Sequence, residues 1–494
     1  MSEQAPAAQE LNRGEGLLLR VFHAFKALAL AGIYAAAGFV TAKAITSDEL
    51  NWLTAVVAIG LCVVIVMFSP LAALLGWLVV SPYAPFFGLN IHLGAGVPDL
   101  SLDRMAVAAM LALMAGQVVL GRRRLAPFTR TDALILVFCL GYGVSGIVST
   151  LGWVTAYQAL FDAVYTPILV YFIAKNLVRS RRDLYMVIGA LAIIGAYLAV
   201  LTIREQTTGE VLFALQGRSV YYTEHIRRVA GLLGNPAFTD VIIAMTLPLL
   251  LVAVSRIRSL PLRLLGWALA GMLAVGVYMT FVRAGWVALA LGMLVLAVLW
   301  PRFRLPFALL LVVGAGLAYL NWEAITSSYV YTERLTFTKS IDYRSMGMDL
   351  AIRVFQRYPI LGVGFANFGS IAASEFGWHP ERWVAPSPHN SYLYIAVSGG
   401  LLALAPYLLM FLSIVWDGWR VYWRGRRDVT VDRPMAAAFL AAMAAYLAPI
   451  FTMEIEASKL TNLLFYLIVG GMLGLWLHEE QPGAVRRIRE ETTY

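Results

Sequence analysis

The sequence predicts an all-α integral membrane protein with about 14 transmembrane helices, and three observations support that prediction. Of the 494 residues, 60% are hydrophobic and 14% are charged, whereas a soluble domain is about half apolar and about a quarter charged. The apolar residues form runs long enough, or nearly so, to cross a hydrocarbon layer of about 30 Å as helices. The basic residues lie in short clusters between those runs, which indicates membrane topology rather than binding to nucleic acid.

The apolar runs define the elements in chain order. Two pairs of neighbouring runs have almost no loop between them, one pair at Ser69–Pro70 and the other around Arg283. Each pair could form one broken helix, so twelve spans are the alternative. The spans are expected at about 27–46, 52–68, 71–88, 105–120, 132–150, 155–175, 184–203, 240–255, 264–282, 284–300, 305–320, 391–416, 435–452 and 460–477.

The basic loops set the expected orientation, because Lys and Arg in short loops stay on the cytoplasmic side. The first 26 residues are polar and lack the apolar core of a cleaved signal peptide, so the amino terminus is expected inside. All arginine-rich loops then share that side: 121–131, 175–183, 255–263, 301–304, 417–433 and the tail. The expected organisation is an inner tail, about eleven spans, a large outer loop, further spans and an inner tail, over 1–26, 27–320, 321–390, 391–477 and 478–494.

The outer loop over 321–390 is large enough to fold on its own. Apolar residues recur in it at helical spacing, and Pro359 ends the pattern, which comprises Leu350, Val354, Phe355 and Tyr358. We predict an amphipathic helix over Asp342–Tyr358 that lies on the membrane surface.

Arg283 stands between two apolar runs with no polar loop around it. An unpaired charge at the membrane face costs on the order of 3 kcal/mol, and a bound anion would offset that cost. A guanidinium group matches phosphate oxygens in geometry. Arg283 is therefore a candidate anion ligand, and snorkelling to the interface is the alternative.

Arg227 and Arg228 precede a second candidate feature, the entry to a span at Asn235–Pro236. Proline at a helix start leaves backbone N–H groups pointing outward, where they can bind an anion. With the two arginines, this segment could form an anion cradle. A plain helix start is the alternative.

His389 and Asn390 lie in the proline-rich approach to a later span. A neutral imidazole there can accept a proton at neutral pH, which makes His389 a candidate base, although a lone interfacial histidine can also be purely structural. No His, Cys, Asp or Glu cluster has metal-ligand spacing. We therefore expect no metal and no cofactor.

Several segments, in this order, resemble the family of O-antigen ligases and O-antigen polymerases. The resemblance covers about residues 220–415 and rests on Arg228–Pro236 (RVAGLLGNP), Arg283–Gly292 (RAGWVALALG), Tyr358–Phe368 (YPILGVGFANF), His389–Leu393 (HNSYL) and Gly399–Leu402 (GGLL). Two features depart from the family: it often has two asparagines around the proline where this chain has Asn235–Pro236–Ala237, and fourteen spans exceed the usual twelve.

The resemblance implies a GT-C-like membrane glycosyltransferase in the bacterial inner membrane. Such an enzyme takes a glycan from undecaprenyl pyrophosphate at the periplasmic face and passes it to lipid A core, to a lipid-linked repeat or to a protein. By position, His389 would serve the acceptor hydroxyl and the pyrophosphate would bind Arg283 with Arg228 or Arg227, of which Arg228 is better spaced. Further candidates for substrate contact are Arg344, Asn235 and Asn390.

Two other functions remain open from the sequence. A flippase or other transporter of lipid-linked oligosaccharides also fits many spans and a cationic cavity. Transporters, however, place ionisable groups within the membrane, and only Asp162 is a clear candidate. A structural subunit without chemistry is the second alternative.

Overall fold

The computed structural model describes residues 69–83, 90–91, 100–149, 152–213, 229, 231–332, 339–378, 387–424 and 431–480. Apart from a two-residue antiparallel pair, β1 (Asn90–Ile91) and β2 (Leu100–Ser101), its regular structure is helical. The helices are α1 (Pro70–Val80), α2 (Leu102–Val119), α3 (Arg130–Ser145), α4 (Trp153–Leu160), α5 (Thr166–Leu177), α6 (Arg181–Thr208), α7 (Pro236–Ser255), α8 (Leu260–Met279), α9 (Arg283–Leu299), α10 (Pro301–Leu320), α11 (Trp322–Thr326), α12 (Lys339–Arg357), α13 (Phe368–Phe376), α14 (Ser391–Arg424), α15 (Arg433–Leu447) and α16 (Lys459–Glu479).

Short turns of other helix types connect some of these elements. A π-helical turn, Phe161–Tyr165, joins α4 to α5 without a break in the chain direction. Two 3-10 turns, Pro449–Phe451 and Ile455–Ala457, join α15 to α16. We call residues 448–458 the α15–α16 connector.

Eight helical segments in the described ranges are long and apolar enough to cross a membrane, which confirms an α-helical membrane protein. They do not establish a count of about 14. Two predicted spans, 27–46 and 52–68, lie outside the described residues. The predictions at 71–88 and 284–300 coincide with shorter apolar helices. The eight segments are Val154–Leu177, Arg181–Thr208, Pro236–Ser255, Leu260–Met279, Pro301–Leu320, Ser391–Arg424, Arg433–Phe451 and Lys459–Glu479.

Helix α8 runs back along α7. A β-carbon added to Gly266, near the start of α8, would meet Val254 near the end of α7 at 2.5 Å. One added to Gly276, near the end of α8, would approach Ile243 near the start of α7. The two helices are therefore antiparallel.

Helix α9 has the opposite direction to α8. Gly285 in its first turn faces Asp240 in the first turn of α7, and the later Gly292 faces Ala244. Because α9 is parallel to α7, α8 and α9 form a hairpin. The three-residue turn between them is tight, since Phe281 has a φ of 53°. The segment around Arg283 is thus two antiparallel helices and not one broken helix.

The loops predicted to be cytoplasmic gather at one end of the bundle, which we call the basic end. The Arg179 guanidinium donates to the carbonyl of Arg124 (2.7 Å). Arg256 pairs with Asp432 across two loops, and Arg424 donates to Glu480 (2.7 Å). These contacts join loops that are far apart in sequence. That this end faces the cytoplasm stays a prediction.

Close helix packing at the core depends on small residues, as is common in membrane bundles. Helix α16 lies against α5 through Gly470 and Gly474, where an added β-carbon would come within 2.3 and 2.2 Å of the carbonyls of Tyr171 and Lys175. By contrast, α10 has no buried residue. Its continuous apolar surface is the kind that faces lipid.

Candidate active site opposite the basic end

The predicted amphipathic helix is present as α12, which begins three residues before the expected start and ends one residue before the expected end. Its Leu350 and Val354 are fully buried in a small cluster with Phe368 and Ala372 of α13. Its apolar face therefore packs on protein. Contact with the membrane surface stays a prediction.

Two of the sequence motifs pair with each other through their backbones. The amide of Val363 donates to the carbonyl of Val397 (2.7 Å), and that of Leu401 donates to the carbonyl of Pro359 (2.8 Å). These bonds are available because α14 is interrupted at Gly400, whose φ is 61°. A β-carbon there would lie 2.1 Å from the carbonyl oxygen of Ile360. Glycine is thus required for the motifs to meet.

We call residues 387–390, which directly precede α14, the approach to α14. Helix α12 contacts the approach through Gly347. A β-carbon on this residue would lie 2.3 Å from the carbonyl oxygen of Ser387. Arg344 lies three residues earlier, which places it on the same face of α12. Its charge acts on His389, two residues after Ser387. The structure thus brings two of the predicted site residues together.

His389 is held in a strained backbone conformation with a φ of 48°, which costs of order 1–3 kcal/mol for a residue other than glycine. Its amide N–H donates to Ser387 Oγ and to Glu454 Oε1, both at 3.2 Å. Burial, and secondarily the Arg344 charge, lower the pKa of the imidazole from 6.5 to about 4. The imidazole is therefore neutral at pH 7.

The α15–α16 connector fixes this approach from the other side. Ser391 donates to the carbonyl of Met453 and accepts from the amide of Ile455, both at 2.9 Å. The Asn390 amide group donates to the carbonyl of Phe451 (3.2 Å) and accepts from the amide of Leu393 (3.0 Å). Asn390 thus has a positioning role; direct contact with substrate stays a prediction.

Glu454 is a residue that the sequence reasoning missed. Besides the amide of His389, it accepts from the hydroxyl of Ser387, and burial raises the pKa of its carboxyl group. The available signal was its setting, because Glu454 and Glu456 are acidic residues in a short connector between two apolar runs. Charge at such a position needs a partner or a function.

The start of α7 lies beside the start of α9. Asn235 caps α7, with Oδ1 accepting from the amide of Ala237 (3.1 Å), as expected for a loop-to-helix entry. Asp240, one turn on, is fully buried and accepts from the hydroxyl of Thr280 (2.8 Å), three residues before Arg283. Asn235 and Arg283 therefore share one region.

This region adjoins the one around His389. The turn Pro449–Phe451 contacts both α9, which Arg283 begins, and α14, which His389 precedes. Arg227 and Arg228 lie outside the described residues, so their expected place beside Arg283 stays a prediction. Within the described ranges, no group of three His, Cys, Asp or Glu side chains could hold a metal ion.

Asp162, the candidate for an intramembrane charge, is ion-paired. Arg104 contacts both of its carboxylate oxygens, at 2.8 and 2.6 Å, and Lys459 lies 3.9 Å away. Both cations stand at helix starts, in the first turns of α2 and α16. This environment accounts for the charge without an ion pathway.

Comparison with known families agrees with the motifs. The family model described as O-antigen ligase matches residues 267–408, a segment that contains Arg283, all of α12 and His389. No curated protein matches the chain. The predicted resemblance is confirmed, and the domain indicates an enzyme of the membrane glycosyltransferase type. Residues 267–408 thus form a segment that matches the O-antigen ligase family.

Proposed function

We propose that this protein transfers a glycan from undecaprenyl pyrophosphate to an acceptor hydroxyl group at the periplasmic face of the inner membrane. One observation carries the proposal: the helix that begins at Arg283 and the approach that holds His389 contact the same connector at one end of the bundle. The Arg344 charge acts on His389 there, and all three residues lie in the segment that matches O-antigen ligases. That end is opposite the basic loops, which the positive-inside rule assigns to the cytoplasm.

The donor side of the reaction needs positive charge. Negative charge develops on the pyrophosphate as its bond to the anomeric carbon breaks. Arg283, with Arg228 or Arg227, supplies fixed guanidinium groups that stabilise this charge without a metal ion. One well-placed donor of this kind contributes about 10²- to 10³-fold to the rate.

The acceptor side needs a group that removes a proton from the attacking hydroxyl. The His389 imidazole is neutral, and its pKa of about 4 makes it a weak base while the site holds only protein groups. A bound pyrophosphate would offset the Arg344 charge that contributes to this shift. The pKa of His389 would then rise toward the range in which a general base contributes about 10²- to 10⁴-fold.

We infer a single displacement with inversion at the anomeric carbon. One base, His389, takes the proton in this mechanism, and no protein nucleophile is needed. The neighbouring carboxylate of Glu454 already accepts from the amide of His389 and from the hydroxyl of Ser387. NMR of the product linkage, compared with the donor linkage, measures the outcome. A product that retains the donor configuration would contradict this mechanism.

A deletion strain tests the function in cells. Its surface polysaccharide is compared with that of the parent on a sugar-stained gel. Loss of long chains is the result expected for a polymerase, and long chains left on the carrier lipid are expected for a ligase. An unchanged glycan profile would contradict both forms of the proposal.

A further inference from the structure

A separate cavity lies beside the connector, on the side of the π-helical turn. Its volume is about 230 Å³, which is smaller than the roughly 300–1,000 Å³ typical of pockets for drug-sized ligands and therefore suits one small ring. Its lining combines charged groups, aromatic rings and methyl groups, from Ala159, Asp162, Ala163, Phe365, Tyr394, Glu454, Glu456 and Lys459.

Glu456 marks this cavity as a binding site. Its side chain is only 7% exposed, and Oε1 accepts from the hydroxyl of Tyr407 (3.0 Å). Its other oxygen, Oε2, is fully buried and forms no hydrogen bond with the described residues. A buried acceptor without a donor is costly. A ligand that donates a hydrogen bond would remove that cost.

The charges of the cavity disfavour an anion. Three carboxyl groups, those of Asp162, Glu454 and Glu456, line it together with one ammonium group, that of Lys459. The ammonium group is also engaged with Asp103 outside the lining, at 2.6 Å. Asp162 is in turn paired with Arg104, so both cations at this cavity are engaged by carboxylates. A phosphate group would therefore have to compete with these carboxylates.

The remaining lining favours a sugar. The rings of Phe365 and Tyr394 meet edge to face with centroids 6.5 Å apart, and they offer apolar surface for the C–H face of a ring. Carboxyl oxygens accept from hydroxyl groups. One wall is the π-helical turn that carries Asp162, and such turns occur frequently at functional sites.

We propose that this cavity binds one neutral sugar ring, the ring of the acceptor that carries the attacking hydroxyl group, with Glu456 accepting a hydroxyl hydrogen. Glu454 connects the cavity to the reaction, because it lines the cavity and also accepts from the amide of His389. The assignment to the acceptor rests on the proposed function. Binding of a neutral sugar does not.

The test is saturation-transfer NMR on the full chain in lipid nanodiscs. The probes are methyl glycosides of glucose, galactose, mannose and their 2-acetamido forms, with glucose 1-phosphate as the anionic counterpart. At least one neutral glycoside is expected to bind, and in Arg283→Ala, which lacks the proposed phosphate site, it should bind more strongly than the phosphate. Glu456→Gln should reduce the glycoside signal about fivefold or more, because the carboxylate is lost. Ala163→Leu should reduce it to a similar extent, because the larger side chain fills part of the cavity.

Two control variants separate this proposal from the proposed function. Glu479→Gln changes another buried glutamate, which lies at the basic end and accepts from the amide of Val431. Arg283→Ala changes the proposed donor site. Both should bind the glycoside like the wild type, and only Arg283→Ala should lose transfer in cells. Absence of any glycoside signal, stronger binding of the phosphate than of the glycoside to Arg283→Ala, or equal signals in all variants would overturn the cavity assignment. Normal transfer by Arg283→Ala would overturn only the donor site.

Discussion

The two ends of the bundle carry charge in different ways. At the basic end, cations are joined to protein groups: Arg123 and Arg179 both donate to the backbone carbonyl of Asn176 (2.9 and 3.0 Å), and Lys175 pairs with Asp132. At the opposite end, a strained histidine, a carboxylate bound to its backbone and a cavity with an unsatisfied buried oxygen occur together. The first arrangement joins loops of the protein to one another, whereas the second is the region that we propose to bind ligands.

The difference shows that the number of arginines does not identify a site. Both ends are rich in basic residues in the sequence: the outer loop 321–390 and the inner loop 417–433 each contain five arginines. The distinguishing features are strain and burial at single residues, as at His389. Mutations at the two ends should therefore have different kinds of effect, and the following predictions begin with the largest.

Arg283→Ala should reduce glycan transfer by about 10²-fold or more, because a fixed cation at the leaving group is lost. Arg283→Lys should restore little, since a point charge does not replace the guanidinium fork. Transfer is measured in cells on sugar-stained gels, normalised to protein in the membrane. The matched control is Arg424→Ala, which breaks an exposed pair worth about 0–1 kcal/mol; an equal loss in this control would remove the contrast between the ends.

His389→Ala should reduce transfer by about 10²-fold or more through loss of the base. Membrane insertion should be unchanged, because His389 lies outside the buried core. The control is His478→Ala, in the last turn of α16 at the basic end. Near-normal transfer by His389→Ala in the same assay would show that the imidazole is not the base.

Glu454 should act as a positioning residue, through the backbone of His389. Glu454→Gln retains an oxygen that can accept from the amide of His389, so it should transfer at a rate close to wild type. Glu454→Ala should lose about tenfold in kcat, because one hydrogen bond to a charged group is worth about 1.5–3 kcal/mol. Equal and severe losses in both variants would instead make the carboxylate itself the base.

Gly400→Ala should destabilise the folded protein by about 1–3 kcal/mol, because alanine at a positive φ is strained and its β-carbon would collide with the carbonyl of Ile360. The thermal midpoint in detergent measures the effect. Gly189→Ala is the control, since its added β-carbon meets nothing within 4 Å and alanine favours a helix. A midpoint unchanged in Gly400→Ala would contradict the account of the paired motifs.

The smallest predicted effect is a shift of the pH profile by Arg344→Gln. The neutral imidazole is the active form. In the wild type, kcat/KM should therefore be independent of pH around pH 7 and should fall only as the pH approaches about 4, the pKa of His389. Removing the Arg344 charge should raise this pKa and move the acid limb to higher pH. Because burial is the larger cause of the lowered pKa, the midpoint of the acid limb in Arg344→Gln should stay below the pKa of free histidine. An unmoved limb would show that Arg344 is remote from the base.

The sequence predicted the parts of the fold that depend on hydrophobic periodicity and on charge in loops. The eight apolar helical segments and the amphipathic helix before Pro359 follow from such local patterns. The count of about 14 spans is not established by the described residues. The sequence also indicated Arg283, Arg344 and His389 as candidate site residues, because of the resemblance to a family, and their roles stay predictions. It could not predict Glu454 as a neighbour of His389, since that contact links residues 65 positions apart through tertiary packing. Nor could it decide whether the segment at Arg283 was a hairpin or a broken helix.

The most direct test of the central claim uses the purified protein with a polyprenyl-pyrophosphate-linked glycan and a hydroxyl acceptor. The released polyprenyl pyrophosphate is quantified by mass spectrometry, for the wild type and for Arg283→Ala, His389→Ala and Arg424→Ala. We predict stoichiometric release with product formation by the wild type and by Arg424→Ala, and loss of both in the other two variants. Product formed without release of the pyrophosphate, or equal release by all four proteins, would contradict the account.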